Sequence, residues 1–238
     1  AGPEDDDKMV GYLPHCTFNL NSRAASIDTP LHSLLPFPHI DHVHPDAIIA
    51  LAASSGGEAA TREIWGGRIG WLPWKRPGFT LGVMIRDYVR ANPGVQGVML
   101  AGHGIICWAE TSKACYDHTI QLIADAARFL NAKLSGAPAF GGEQMQANPA
   151  RHAVAARLMP KLRSVMSGTQ PKLGHFSDSP ETLEFVNSAD FVRLAPLGTS
   201  CPDHFLRTKI APLTLDPFRL DDGVYLSEAV AEYRERYA

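Results

Sequence analysis

The chain has few cysteines, no long apolar run and no marked excess of charge of either sign. Its four cysteines (Cys16, Cys107, Cys115 and Cys201) are scattered over 238 residues without a C-x-x-C pair. A disulfide framework is therefore excluded as the organising principle, and a reducing cytoplasm is the expected compartment. No apolar stretch reaches the roughly 18 residues of a membrane span. The first residues also lack the basic-then-apolar order of a signal peptide, so no membrane partner is expected. Lys and Arg number 22 against 25 Asp and Glu, a net charge of −3, and no basic stripe stands out. Nucleic acid is not an expected partner. Neither G-x-G-x-x-G nor G-x-x-x-x-G-K occurs, which argues against a nucleotide enzyme.

What the chain does have is histidine, ten in all, four of them between His32 and His44. His39-Ile40-Asp41-His42-Val43-His44-Pro45-Asp46 mixes five ligand-type side chains with the apolar Ile40 and Val43. In an extended strand, His42 and His44 point to one face while Val43 points into packing. Two imidazoles one strand repeat apart can reach one ion at bond lengths of about 2.0–2.1 Å. The competing reading is a pair of surface histidines beside a turn. Pro45 is expected to end the strand, and Asp46 to cap the apolar run Ala47–Ala52.

A catalytic zinc site takes three protein ligands and leaves one position open. His103 is the third candidate, because Gly102 and Gly104 free the backbone and the space around its ring. The plainer alternative is a turn that happens to hold a polar residue. Asp28 is the candidate acid/base, with helix capping at Asp28-Thr29-Pro30 as its competing role. His32, one helical turn on, is more simply a solvated or hydrogen-bonded histidine. A second polar cluster, Cys201, Asp203 and His204 with Arg207 and Lys209 following, offers a weak Cys–His pair and an anion contact. His204 and Arg207 are the substrate-binding candidates there.

Along the chain, residues 1–11 read as a mobile acidic lead-in, similar to a protease-tag remnant, and 12–27 as strand and loop. A short helix follows Asp28, then the histidine strand and the helix after it. A helix spans Glu58–Trp65, a strand Ile69–Leu72 and a helix Thr80–Ala91. Val95–Leu100 and Ile105–Trp108 form a hairpin around Gly102-His103-Gly104. Thr111 caps a long helix to about Leu134, whose apolar face is expected at Ala114, Ile120, Ile123, Ala127 and Leu130. The division expected is a metal-binding core over 1–134, a linker over 135–148, and a C-terminal helical and mixed segment over 149–238 packing on that core. Within the last, helices are expected at Pro149–Ser167 and Ser227–Tyr237.

Four stretches, taken in order, carry a family resemblance: Asp28-Thr29-Pro30-Leu31-His32, His42-Val43-His44-Pro45, Leu72-Pro73-Trp74 through Pro77-Gly78, and Gly102-His103-Gly104-Ile105. Over roughly residues 12–134 they resemble the class II aldolase/adducin family. Two runs, Arg23–His32 and Cys201–Thr208, are similar to the aldolase portion of bifunctional rhamnulose-1-phosphate aldolase/alcohol dehydrogenase proteins. The resemblance implies a three-layer α/β/α fold around a central, mainly antiparallel sheet, in a homo-oligomer, commonly a tetramer. It implies that His42, His44 and His103 hold a divalent ion, usually Zn2+, and that Asp28 stands at the acid/base position. The chemistry implied is metal-assisted cleavage of a ketose 1-phosphate, a small-molecule sugar phosphate. For the rhamnulose-type relatives the products are dihydroxyacetone phosphate and lactaldehyde. Sugar-phosphate epimerisation or decarboxylation on the same scaffold, or a non-catalytic adducin-like domain, are the alternatives. Two departures stand out. Many family members carry Glu where Asp28 stands, and the glycine- and serine-rich phosphate loop is not found, so the chain reads as an internal piece of a longer protein.

Overall fold

A computed structural model describes residues 3–18 and 25–237; the side chains of residues 3–5 and of Phe205 are outside that description, as are Arg23 and Ala24 of the resemblance above. The chain divides into two units, one comprising Ala1–Ser135 with Thr199–Thr208, the other Gly136–Gly198 with Lys209–Ala238.

The first unit is built on a four-stranded sheet of β1 (His39–Val43), β2 (Ile69–Leu72), β3 (Gly97–Leu100) and β4 (Gly104–Ala109). Its order is β1-β4-β3-β2, with β1–β4 and β3–β4 antiparallel and β2–β3 parallel. Strand alternation sorts the side chains into two cores. Val98, Leu100, Ile106 and Trp108 pack on one face with Leu31 of α2 (Thr29–Ser33), Leu35 just beyond that helix, and Leu81, Ile85 and Val89 of α5 (Phe79–Ala91). Met99, Ile105 and Cys107 pack on the other with α3 (Asp46–Ala52), α4 (Gly57–Trp65) and α6 (Ser112–Leu134). This is a three-layer α/β/α arrangement with a mainly antiparallel sheet. Thr111 caps α6, its side chain accepting from the Ala114 N–H at 3.2 Å.

Several local expectations are corrected. The acidic lead-in is helical, as α1 (Pro3–Tyr12). The reason is a cap: Asp6 is 1% exposed, and its Oδ1 accepts from Thr80 N at 2.8 Å and Thr80 Oγ1 at 3.1 Å. It thus closes the N-terminus of α5, where Gly78 supplies no side-chain cap. Leu13–Cys16 is a 3₁₀ turn rather than strand. Residues 19–24, part of the expected strand and loop, lie outside the described residues. Asp46 opens α3 without a capping bond, with Pro45 at the cap position. On α6 the buried stripe is Cys115, Thr119, Leu122 and Ala126, while Ile120 is 46% exposed.

In the second unit, α7 (Arg151–Ser167) packs with α11 (Gly223–Glu235), whose Leu226 and Val230 are buried. The terminal helix thus begins ahead of the expected Ser227. Between them run α8 (Pro180–Val186) and α9 (Phe191–Leu194). Residues 135–148 are not a bare linker. Glu143 bridges Ser188, Gln144 N donates to Asn187 O at 2.8 Å, and Phe140 packs edge-on to Phe185 at 5.1 Å. Thr199–Thr208, inside the stretch read as one C-terminal segment, groups with the first unit and carries α10 (Pro202–Arg207). Among the described residues no helix is long and apolar enough to cross a membrane.

Candidate metal centre

Two local features bring three histidines together. His42 lies in β1 opposite Ile106 of β4, and His44 follows one residue beyond the strand end. His103 sits in the β3–β4 turn, where Leu100 pairs with Gly104. Gly102 holds φ +61 there and donates its N–H to Ala52 O at 2.7 Å, and a Cβ on it would stand 2.9 Å from Trp74. A Cβ on Gly104 would stand 2.5 Å from His44 Cδ2 and 2.6 Å from Val43 O. The two glycines therefore do different jobs: Gly102 makes the turn, and Gly104 clears the space that the His44 ring fills. His103 is only 2% exposed, unlike the polar residue of an ordinary surface turn.

The nitrogens converge. His42 Nε2 stands 3.2 Å from His103 Nε2 and 3.2 Å from His44 Nε2. One nitrogen from each ring falls in a group no more than 4.8 Å across. His42 Nδ1 lies 3.0 Å from the Ile105 carbonyl, which can only accept, so the proton sits on Nδ1 and the Nε2 lone pair faces the other rings. That lone pair can take one N–H, yet two neighbouring nitrogens approach it at equal distance. No distribution of protons over neutral rings satisfies all three, whereas one cation does. Ligands of a tetrahedral ion at about 2.0–2.1 Å stand about 3.4 Å apart, close to the two distances found. The donor set, three imidazoles, suits zinc.

Electrostatics agree with the geometry. Burial, helped by the neighbouring rings, pushes His42 down to about 3 and His103 down to about 4, and burial also lowers His44. All three are neutral at physiological pH, the form that coordinates a metal. His103 Nδ1 is buried without a partner among the described residues.

Asp28 occupies the N-cap position of α2 but makes no capping bond from its side chain. Its Oδ1 is buried without a hydrogen-bond partner among the described residues. Burial raises its pKa above the ordinary carboxylate value; His44 and His32 oppose the rise and Asp203 adds to it. These mutual effects place Asp28 in electrostatic reach of the triad. His32 is also near, its ring centroid 6.5 Å from that of His42. It lines a cavity of about 570 Å³ with Thr29, Ser33, His39, Asp41 and Ser112, a volume suited to a small molecule, although none of the three triad rings lines it.

The α10 segment contributes an acid, Asp203, that the sequence reading placed in its second polar cluster without giving it a role. Asp203 raises the basicity of His44 more than Asp28 does, and His204 lowers it. The Arg207 side chain is 78% exposed and lies 3.8 Å from Asp203, and among the described residues no hydrogen bond or ion pair joins it to the triad. Cys201 is only 2% exposed.

Comparison with known proteins follows this geometry. The class II aldolase and adducin N-terminal domain matches residues 7–129, and the second domain of class II aldolases matches residues 153–238. Over 213 residues the chain is 39% identical to a Bacillus subtilis (strain 168) protein named uncharacterized oxidoreductase YuxG, covering 89% of this chain and 31% of that protein. The chain thus spans about a third of that relative's length. Among solved structures, the N-terminal class II aldolase domain of a conserved protein from Thermoplasma acidophilum is 30% identical, with a TM-score of 0.47 over 52% of this chain and 57% of that one. An aldolase II superfamily protein from Pseudomonas syringae is 19% identical, with a TM-score of 0.32 over 49% and 46%.

Proposed function

The chain belongs to the class II aldolase and adducin family, and on that premise we propose that it is a metal-dependent aldolase acting on a ketose 1-phosphate. The observation that carries this reading is one neutral three-nitrogen cluster with an uncapped, partly buried carboxyl beside it. An adducin-like domain without catalysis has no use for either. His42, His44 and His103 would hold the ion, zinc first by donor chemistry. A divalent cation bound there supplies Lewis acidity toward the carbonyl and hydroxyl oxygens of a substrate.

The protein groups then have separable tasks. The three imidazoles stay neutral and fixed, His42 by its bond to the Ile105 carbonyl. The Asp28 carboxylate accepts the proton of the substrate hydroxyl as the adjacent carbon–carbon bond breaks, and its acid form returns a proton to the carbon left behind. Burial suits it to both halves, because a raised pKa stabilises the protonated form between them. His204 and Asp203, on α10, would meet the substrate beside His44, a role supported by their electrostatic effect on that ring. Rhamnulose 1-phosphate, cleaved to dihydroxyacetone phosphate and lactaldehyde, is the first substrate to try. Action in the cytoplasm, as a homo-oligomer, completes the reading.

Other family reactions remain distinguishable. Epimerisation yields no second carbonyl product, and decarboxylation releases carbon dioxide. The oxidoreductase in the name of the B. subtilis relative concerns a chain about three times as long, and this sequence has no dinucleotide fingerprint. The test is to incubate the zinc-loaded protein with rhamnulose 1-phosphate and related ketose 1-phosphates and to assay dihydroxyacetone phosphate. Zinc-dependent release that chelator abolishes is expected. Conversion without an aldehyde product would replace aldol cleavage by epimerisation.

A further inference from the structure

The strand that carries His42 has a second face. Ile40 packs with the α2 and α5 side of the sheet, while Val43 packs with the α6 side. Asp41 shares the Val43 face and pairs in register with Cys107 of β4. Its Oδ2 accepts from Thr119 Oγ1 at 2.8 Å. Thr119 lies mid-helix in α6 and is 5% exposed.

A helical threonine commonly spends its hydroxyl proton on the carbonyl four residues back. That acceptor is present, Cys115 O at 2.9 Å. The Asp41 carboxylate is the stronger acceptor, since charge-assisted bonds exceed neutral ones. On its other side, Thr119 Oγ1 lies 3.2 Å from Cys107 Sγ. Burial pushes that thiol up to about 12, so it stays protonated and donates to the hydroxyl oxygen. One buried hydroxyl thereby joins α6, β1 and β4 at the residue next to His42. Among the described residues β1 pairs only with β4, so it has fewer ties than a central strand. A slip of one residue would turn His42 toward α6 and Asp41 toward the triad.

We infer that Thr119 is a positioning residue for the histidine triad. Its bridge to Asp41 holds β1 where His42 Nδ1 meets the Ile105 carbonyl and His42 Nε2 stands 3.2 Å from both partner nitrogens. The inference rests on the triad being a metal site, and the experiment separates the two claims.

Zinc affinity is measured by chelator competition on the whole chain, for wild type, Thr119→Val and Thr119→Ser, with thermal melts and visible spectra of the Co2+-substituted proteins alongside. Valine keeps the shape and removes the hydroxyl. It is expected to weaken zinc about 10-fold, the low end of losses for groups that orient ligands, and to alter the Co2+ bands. Serine is expected to restore most of the affinity and the spectrum. A folded valine variant with wild-type affinity and wild-type spectrum, whatever its melting temperature, would overturn the inference and leave Thr119 a packing residue. If the valine variant does not fold, Asp41→Ala, which removes the acceptor from the edge strand, is read in the same way. Absence of zinc binding by the wild type would instead remove the metal reading itself, and this inference with it.

Discussion

The three clustered imidazoles and the Asp28 carboxyl, which His44 brings within electrostatic reach, are held in opposite ways. The imidazoles come from a paired strand, the residue after it and a hairpin turn, and their positions are fixed by sheet register, a backbone carbonyl and two glycines. They are neutral, as ligands must be. Asp28 sits at the start of a five-residue helix, leaves the capping bond unmade, and buries an oxygen without a partner among the described residues. A structural carboxylate would have taken the cap, which holds it ionised. On the proposed reading, the contrast teaches that the histidines proposed to bind the ion are built for fixed geometry, whereas the carboxyl proposed to react is left unsatisfied and able to change protonation.

The sharpest break in this comparison is removal of a ligand. His103→Ala should weaken zinc by more than about 100-fold, beyond the loss of a supporting group, while the circular dichroism spectrum stays close to wild type. Full metal occupancy in that variant would remove His103 from the triad.

Asp28→Asn should do the reverse. Zinc content stays near wild type, and turnover falls by about 10²–10⁴, the usual contribution of a positioned acid/base. Stability should rise. A carboxyl whose folded pKa is raised contributes stability at low pH that is lost as pH rises through the folded value. Asparagine removes that loss, so its melting temperature at neutral pH should exceed that of wild type. Unchanged turnover with a lower melting temperature would return Asp28 to a structural role.

A smaller effect is expected where the two glycines differ. Gly104→Ala forces a Cβ against His44 and the Val43 carbonyl. It should cost about 1–3 kcal/mol of stability as overpacking does, and weaken zinc about 10-fold by displacing one ligand. A measured affinity equal to wild type would show that His44 can move away without leaving the site.

A further prediction concerns pH in the metal-free protein. Folded His42 and His103 protonate only near 3 and 4, whereas unfolded histidines do so near about 6.5. The unfolded chain therefore binds more protons between those values, and stability should decline as pH falls from about 6.5 toward 4. Urea midpoints across that range test it. His42→Phe should flatten the decline, and an unchanged slope would mean that the histidines are not buried neutral.

Much of the architecture was legible in the residues because hydrophobic period and turn chemistry agreed. β2, the β3–β4 hairpin, α5 with Leu81, Ile85 and Val89 buried, and the Thr111 cap all emerge from local pattern. Misplaced features were those decided by tertiary partners. The acidic run looks like a solvated tail until Asp6 finds Thr80, which lies 74 residues on. The buried stripe of α6 holds Cys115 and Thr119 rather than Ile120, because Asp41 and Cys107 give the threonine hydroxyl its bonds. Residues 135–148 have linker composition, yet Phe140 packs on Phe185 and the chain bonds Asn187. At the site, strand alternation puts His42 and His44 on one face. No spacing rule says that Asp28 leaves its cap unmade, or that α10 brings Asp203 to His44.

The central claim is that three neutral histidines form one metal centre, and elemental analysis after gentle purification tests it most directly. Wild-type protein, reconstituted with zinc if needed, should carry about one ion per chain, and His42→Ala should carry none. Wild type that holds no zinc after reconstitution, or a His42→Ala variant that still holds one ion, would contradict the account.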